Sequence, residues 1–277
     1  MVDFHRGIAV KPSLLGVSSC SKREGLFRLY SAALVSDIDF FVIDSERVCD
    51  DVSVDDLAEL VVLAEEVDGP VVVPTVPVRR SDYPDRMRDI IDVVAGSGRA
   101  GLCIVAGNPH YLSVEEAGAR AAPLLLEAAE VSRSRLGNKL VLVGTENVES
   151  VAMKCCMRYK CVPFFLLDDG VESVVESYRS VLDVPVAVYA PFFVGNGFGK
   201  DVAETMLAYA SRRRKMSEVL RNSDDWWGAL SRLMLVGDRF VVGEKLKEIW
   251  LDGFDIVVGF PAGSSEKQVY LFGSIVF

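Results

Sequence analysis

Several apolar runs in this chain end on polar or ionisable residues, and the types at those ends could do acid–base chemistry. Glu146 closes LVLVGTE, a run with no other charge, so its carboxylate stands at the edge of a buried segment where desolvation favours the protonated acid. Lys11 follows GIAV and reads three ways: a counter-ion for an anionic ligand, a Schiff-base amine if desolvated, or an ion-pair partner of Asp44 or Glu146. Asp44 and Glu46 are two apart on an extended segment and so face the same side. His110, in GNPHYLS, is one of two histidines; its imidazole suits proton transfer near neutral pH, and equally suits a loop cap without chemistry. Thr75, Asn108, Thr145, Asp168, Asp169 and Tyr189 complete the set, Asp168 and Asp169 standing before Gly170 where helix capping is the simplest role.

A second kind of chemistry is suggested by PFFVGNGFGK at 191–200. Gly195, Gly197, Gly199 and Lys200 lead into a helix start, where free backbone amides and the helix dipole favour a phosphate. The spacing is not that of a P-loop, and Asp201 stands where that motif has Ser or Thr. Phe192, Phe193, Phe198 and Tyr189 either cover a planar ring or pack the strand. SRRRK at 211–215 either binds a negatively charged cofactor tail or forms a solvated face of an acidic protein, the simpler reading.

Elements to position these residues are legible as continuous apolar runs at 7–12, 39–46, 70–77, 101–109, 140–146, 162–169, 185–191 and 254–261. Strands that do not alternate polar with apolar are buried on both faces, as parallel strands under helices must be. Helical patterns fill the gaps: 54–67, 113–131 with Ser113 and Glu116 in capping-box spacing and Pro123 as a kink point, GVESVVESYRSVL, and one helix through DVAETMLAYASRRRKMSEVL capped by Asp201 and Glu204. LVGDRFVVGEKLKEIWLDGFDIVVGFPA at 235–262 reads as a short loop, a helix and the closing strand, with Trp226 and Trp227 seating the connector before it. Eight parallel strands alternating with helices predict a single (β/α)8 TIM barrel spanning 1–277, with its site at the strand carboxyl ends. The alternative, an open dinucleotide-binding sheet, lacks a glycine fingerprint in KPSLLGVSS.

With 30 Lys plus Arg against 40 Asp plus Glu, the net charge of −10 disfavours a nucleic-acid partner. No apolar run approaches the roughly 20 residues of a membrane span, and the amino terminus lacks a leader pattern, so a cytoplasmic location with no membrane partner is expected. Cys155, Cys156 and Cys161 lack paired metal-ligand spacing; they and Cys103 read as buried thiols, with no metal site expected.

The segment LVGDRFVVGEKLKEIWLDGFDIVVGFP resembles the carboxyl-terminal part of the luciferase-like superfamily of flavin- and coenzyme F420-dependent barrels. Its turn before a helix reads Val236, Gly237, Asp238, and its turn into the last strand reads Gly253, Phe254, Asp255. AYASRRRKMSEVL resembles the helix that precedes this segment in the superfamily, while GNPHYLS and VAVYAP are similar to a group of archaeal luciferase-like barrel proteins that brings no activity with it. The amino-terminal strand, GIAVKPS, departs from the usual start of the F420 reductases.

The resemblance implies an oxidoreductase with F420 or FMN as cofactor and a small-molecule substrate. On the residues, Gly195, Gly197, Gly199 and Lys200 would hold phosphate, Asn108 and Tyr189 would contact the cofactor, and His110 and Glu146 would move protons, with Lys11 and Asp44 beside them. The alternatives are a cofactor-free Schiff-base lyase or aldolase using Lys11, and a non-catalytic ligand-binding barrel. A homodimer is plausible by base rate.

Overall fold

The computed structural model describes residues 4–15, 21–107, 121–197, 199–262 and 265–276, without the side chains of Asp201 and Arg214. The elements run β1 (His5–Val10), α1 (Lys22–Leu34), β2 (Phe40–Ile43), α2 (Val54–Glu66), β3 (Val71–Pro77), α3 (Tyr83–Ala95), β4 (Leu102–Val105), α4 (Ala121–Leu136), β5 (Val141–Gly144) and α5 (Glu149–Tyr159). They continue with β6 (Val162–Leu166), α6 (Glu172–Arg179), β7 (Ala187–Val194), α7 (Lys200–Ala210), α8 (Arg214–Arg221), α9 (Trp226–Leu233), β8 (Leu235–Gly237), α10 (Arg239–Leu251), β9 (Ile256–Pro261) and α11 (Glu266–Gly273).

Strands β1 to β7 pair in order, all parallel, and β9 closes the ring between β7 and β1, with Ala187 opposite Ile256 and His5 opposite the same residue. The eight runs read from the sequence are the eight ring strands of a closed (β/α)8 barrel. Both of their faces are apolar for the reason anticipated. Ile8 and Val10 pack outward under the helices, while Ala9 joins Val42, Val73, Cys103, Leu142, Phe164, Val258 and Phe260 inside the ring. No helix among the described residues is long and apolar enough to cross a membrane.

Two details correct the sequence reading. Leu235–Gly237 is a strand, not a loop. β7 runs on to Val194, past Tyr189 where β6 ends with Leu166, and the bare edge left there needs hydrogen-bond partners. β8 supplies them, pairing Leu235, Val236 and Gly237 with Phe192, Phe193 and Val194. Gly237 then turns the chain at φ +146, where an added Cβ would meet Val241 at 2.6 Å, and the Asp238 carboxylate accepts from Val241 N at 2.9 Å to start α10. The Val-Gly-Asp turn that carries the resemblance is therefore a strand end, a special backbone angle and a cap in succession.

The second correction concerns the helix through 201–220. It breaks at Ser211–Arg213 into α7 and α8, and α7 starts one residue before Asp201, with Gly199 in the N-cap position. The break is set by distant partners. Asp168 accepts from Met216 N at 3.0 Å and so caps α8 from the loop after β6. The predicted start at Ser113 and Glu116 lies outside the described residues; the described part of α4 carries Pro123 in its first turn.

On its other edge β7 is completed by a side chain. Gln268, 6 % exposed, accepts from Val194 N at 2.8 Å and donates to Val194 O at 3.1 Å, taking the place of a strand. Replacing Gln268 by leucine would strand both backbone groups, and a buried unmet group costs about 1–3 kcal/mol. The expected loss of unfolding free energy is about 2–3 kcal/mol in a urea titration. A loss below about 0.5 kcal/mol, the range of ordinary surface substitutions, would show that water takes over both bonds.

Candidate functional site

The carboxyl ends of the ring strands surround a cavity of about 320 Å³. Its inner wall is aromatic. Tyr189 of β7, level with the end of β6, stacks between Tyr209 of α7 (6.3 Å, 24°) and Phe260 of β9 (6.1 Å, 20°), with Phe164 of β6 set edge-on at 6.0 Å. A cation stands at each end of this stack. The Arg213 guanidinium lies 4.9 Å from the Tyr209 ring centroid, and the Lys11 ammonium 5.5 Å from that of Phe260. The Tyr209 hydroxyl is 3.1 Å from Leu167 O and 3.3 Å from Tyr189 O, which fixes α7 against the mouth of the barrel.

Asp44 Oδ2 meets Lys11 Nζ at 3.2 Å and the Tyr189 hydroxyl at 3.5 Å, so three of the residues singled out in the sequence form one group at the cavity wall. Burial, with Asp44 and Tyr209 adding to it, holds the Tyr189 phenol well above its ordinary value, so it stays a hydrogen-bond donor at neutral pH. Burial likewise pushes the Cys103 thiol in the floor up to about 12. Glu146, after β5, also lines the cavity, but its partner is Arg213 and not Lys11.

The rim is cationic although the chain is acidic. Lys11, Arg47, Arg79, Arg212 and Arg213 face Asp44, Glu46 and Glu146 around the opening, a net positive lining. The run that reads as a solvated face thus sends Arg212 and Arg213 into the cavity, because the break between α7 and α8 turns them over the mouth. Arg79 Nη1 donates to Gly107 O at 3.1 Å, and the buried Nε atoms of Arg79 and Arg213 have no hydrogen-bond partner among the described residues.

Lys11, Asp44, Glu146 and Tyr189 are brought together, with Glu46, Thr75 and Thr145 beside them. Asn108 and His110 lie outside the described residues. Gly195 and Gly197 border a different, more open depression shared with Asp238, Arg239 and Lys267. Gly199 precedes α7, and the Lys200 side chain is 89 % exposed and 3.6 Å from Glu204. Phe192 packs outside the ring on Phe272, with centroids 4.3 Å apart, and Phe198 lies outside the described residues. Sequence reasoning missed Arg47, Arg79 and Tyr209. Arg79 carried a usable signal, since it stands two residues past Pro77, where both the apolar run 70–77 and β3 end, but the strand-end reading of that run stops at Thr75.

A family model described as a family of unknown function (DUF7388) matches residues 28–268. The chain belongs to this family. No curated protein matches it. Among solved structures, this DUF7388 member is similar to the monooxygenase RslO1 from Streptomyces bottropensis, at 14 % identity and TM-score 0.66 over 98 % of each chain. It is also similar to an F420-dependent secondary alcohol dehydrogenase in complex with an F420-acetone adduct, at 11 % identity and TM-score 0.65 over 99 % of this chain and 98 % of that one. Apo-MsnO8 matches at 11 % identity and TM-score 0.63, over 98 % of this chain and 99 % of that chain. At such identities the likeness shows that this chain shares the fold of these barrels.

Proposed function

We propose that the chain is a luciferase-like oxidoreductase that holds F420 or FMN in the cavity at the barrel mouth. The observation that carries this reading is the aromatic stack Tyr209–Tyr189–Phe260 under a net positive rim. A planar ring with an anionic tail needs an apolar flat wall and nearby cations, and both are present in a pocket of ligand-binding size. The fold likeness to a monooxygenase and an F420-dependent dehydrogenase supports the cofactor class.

When bound, such a cofactor supplies hydride donation and acceptance. The chain's own residues would do the rest. The Tyr189 hydroxyl and Lys11 Nζ, both on Asp44, would present donors to a carbonyl or imine of a small-molecule substrate, and the apolar floor would exclude water. Glu146 and His110 are the further proton-transfer candidates, with Asn108 as a polar contact. Gly195, Gly197, Gly199 and Lys200 remain the alternative cradle for a cofactor phosphate. Neither nucleic acid nor membrane is proposed as a partner, and the location is proposed as cytoplasmic.

Titration of the protein with F420 and with FMN, followed by fluorescence, tests the reading. Binding of one of them with a dissociation constant of about micromolar order is expected, weakened at least about tenfold by Tyr209→Ala. Failure of both to bind refutes it. Lys200→Ala in the same titration tells whether the phosphate sits on the glycine loop: unchanged affinity removes that cradle. A second reading, a lyase or aldolase acting through a Lys11 Schiff base, is favoured by the position of that lysine in the cavity. Its ion pair with Asp44 counts against it, since a free amine is what attacks a carbonyl. Borohydride trapping with a carbonyl compound separates the two.

A further inference from the structure

We infer that Arg47, Arg212 and Arg213, with Arg79 from the loop after β3, form a subsite for a phosphate-type dianion at the top of the cavity. The inference rests on the cavity being the ligand site proposed above, but not on the ligand being a flavin.

The first ground is the crowding of like charge. Arg47 comes from the loop after β2, and Arg212 and Arg213 from the turn between α7 and α8, yet all three line one opening. Guanidinium groups gathered this way repel one another, more strongly where water is partly excluded. Burial lowers the affinity of Arg212 for its proton, Arg47 and Arg213 lower it further, and Glu46 offsets part of this. An anion among them would turn the repulsion into attraction.

The second ground is that the local carboxylates do not use up the donors. Glu146 takes a terminal nitrogen of Arg213, while the buried Nε of Arg213 and that of Arg79 find no acceptor among the described residues. Arg86 also has such an Nε, but it lies outside the cavity and its terminal nitrogen is matched by Asp51 at 3.0 Å. Arg80, next to Arg79, is wholly engaged by Asp51 and Asp82. At Arg80 the chain supplies two acids for one guanidinium; at the rim it supplies fewer acids than cations.

The third ground is residue type. A guanidinium offers a planar fork that matches phosphate and carboxylate geometry, which is why arginine serves where an oxyanion is recognised rather than merely attracted. Two sources carry that group, the tail of a cofactor and a phosphorylated substrate.

Calorimetric titrations with paired probes test the subsite and separate the sources. FMN against riboflavin reads a cofactor phosphate; phenyl phosphate against phenol reads a substrate phosphate. Each pair is titrated into the intact chain, Arg212→Gln and Arg212→Lys. Arg212 is the best position to vary because it is at the surface end of the rim, whereas removing Arg213 would strand Glu146 and endanger folding. At least one phosphate-bearing probe is expected to bind about tenfold or more tighter than its phosphate-free partner. That advantage should shrink severalfold in Arg212→Gln, return in part in Arg212→Lys, and weaken with added salt. If phenyl phosphate shows the preference while neither FMN nor riboflavin binds, the subsite stands and the flavin reading falls. If FMN and riboflavin bind equally and phenyl phosphate shows no preference over phenol, the flavin reading stands and the subsite falls. A phosphate preference that Arg212→Gln leaves intact also overturns the subsite.

Discussion

Arg80→Ala is expected to lower the unfolding free energy by about 3 kcal/mol, the lower end of the 3–5 kcal/mol for breaking a buried ion pair. The Arg80 side chain is 2 % exposed and makes two forks. Nη1 and Nη2 donate to the two oxygens of Asp51 at 2.7 and 2.8 Å, while Nε and Nη2 donate to those of Asp82 at 3.0 and 2.6 Å. Hydrogen bonding to Asp51 raises the guanidinium above its already high ordinary value, so it is charged under all conditions. Truncation would leave Asp51 with Arg86 alone, at 3.0 Å, in a site 24 % exposed. That residual partner and partial hydration are why the lower figure is chosen.

The pairing joins the loop after β2 to the loop after β3, and those loops carry Arg47 and Arg79 to the cavity. Ligand affinity should therefore fall along with stability. Arg80→Lys should recover less than half of the loss, since an ammonium cannot reproduce a double fork. The double change Arg80→Met with Asp51→Leu should not recover the loss, because removing Asp51 takes away the partner that Arg86 holds at 3.0 Å and leaves that guanidinium stranded instead. Urea unfolding of the three variants checks this. A loss under about 1 kcal/mol for Arg80→Ala, the level of a surface ion pair, would show that the forks are solvated in practice.

The ring strands were legible because burial on both faces writes a continuous apolar run, and the strand-end rule then pointed at Lys11, Asp44, Glu146 and Tyr189, which do share a cavity. What was not legible depends on partners far away in the chain. Nothing in SRRRK marks a break, since the break follows from Asp168 capping α8 and from Glu146 holding Arg213. Strand β8 is three residues long and exists because β7 outruns β6, a property of two other strands. The glycines of 195–199 were readable as a loop into a helix, but their facing was not. The extra length of β7 carries that loop toward the depression bordered by Asp238 and Lys267 and away from the aromatic wall.

Alkaline unfolding near pH 10–11 is the second large effect, and its origin is the buried cysteines. Burial pushes the thiols of Cys103 and Cys161 up to about 12 and that of Cys155 up to about 11, and raises Cys156 further, from an ordinary value of 9.0. All four are buried and free. Below pH 9 the thiols are protonated in both states and their full contribution to stability is present. Above it the unfolded chain ionises while the folded one does not, so the unfolded state binds fewer protons and stability falls as pH rises toward the folded values. Each thiol contributes about 1.4 kcal/mol per pH unit in that window, and four together about 5 kcal/mol per unit. Lys245 works in the opposite sense. Burial lowers it to about 8 from 10.5, so folding gains from its side as pH rises through that interval, but one group against four leaves the net slope negative. Tyr30 and Tyr83, raised by burial to about 12, steepen the loss above pH 10. For a domain stable by about 5–15 kcal/mol, cooperative loss of far-ultraviolet dichroism should be complete by about pH 11. Cys161→Ala should make the decline between about pH 9 and 10 shallower by about a third, one of a net three groups, even where it lowers stability at pH 7 through the cavity it leaves. A dichroism signal unchanged to pH 11.5, or an equal slope in Cys161→Ala, would mean that these thiols ionise in the folded chain and are reached by water.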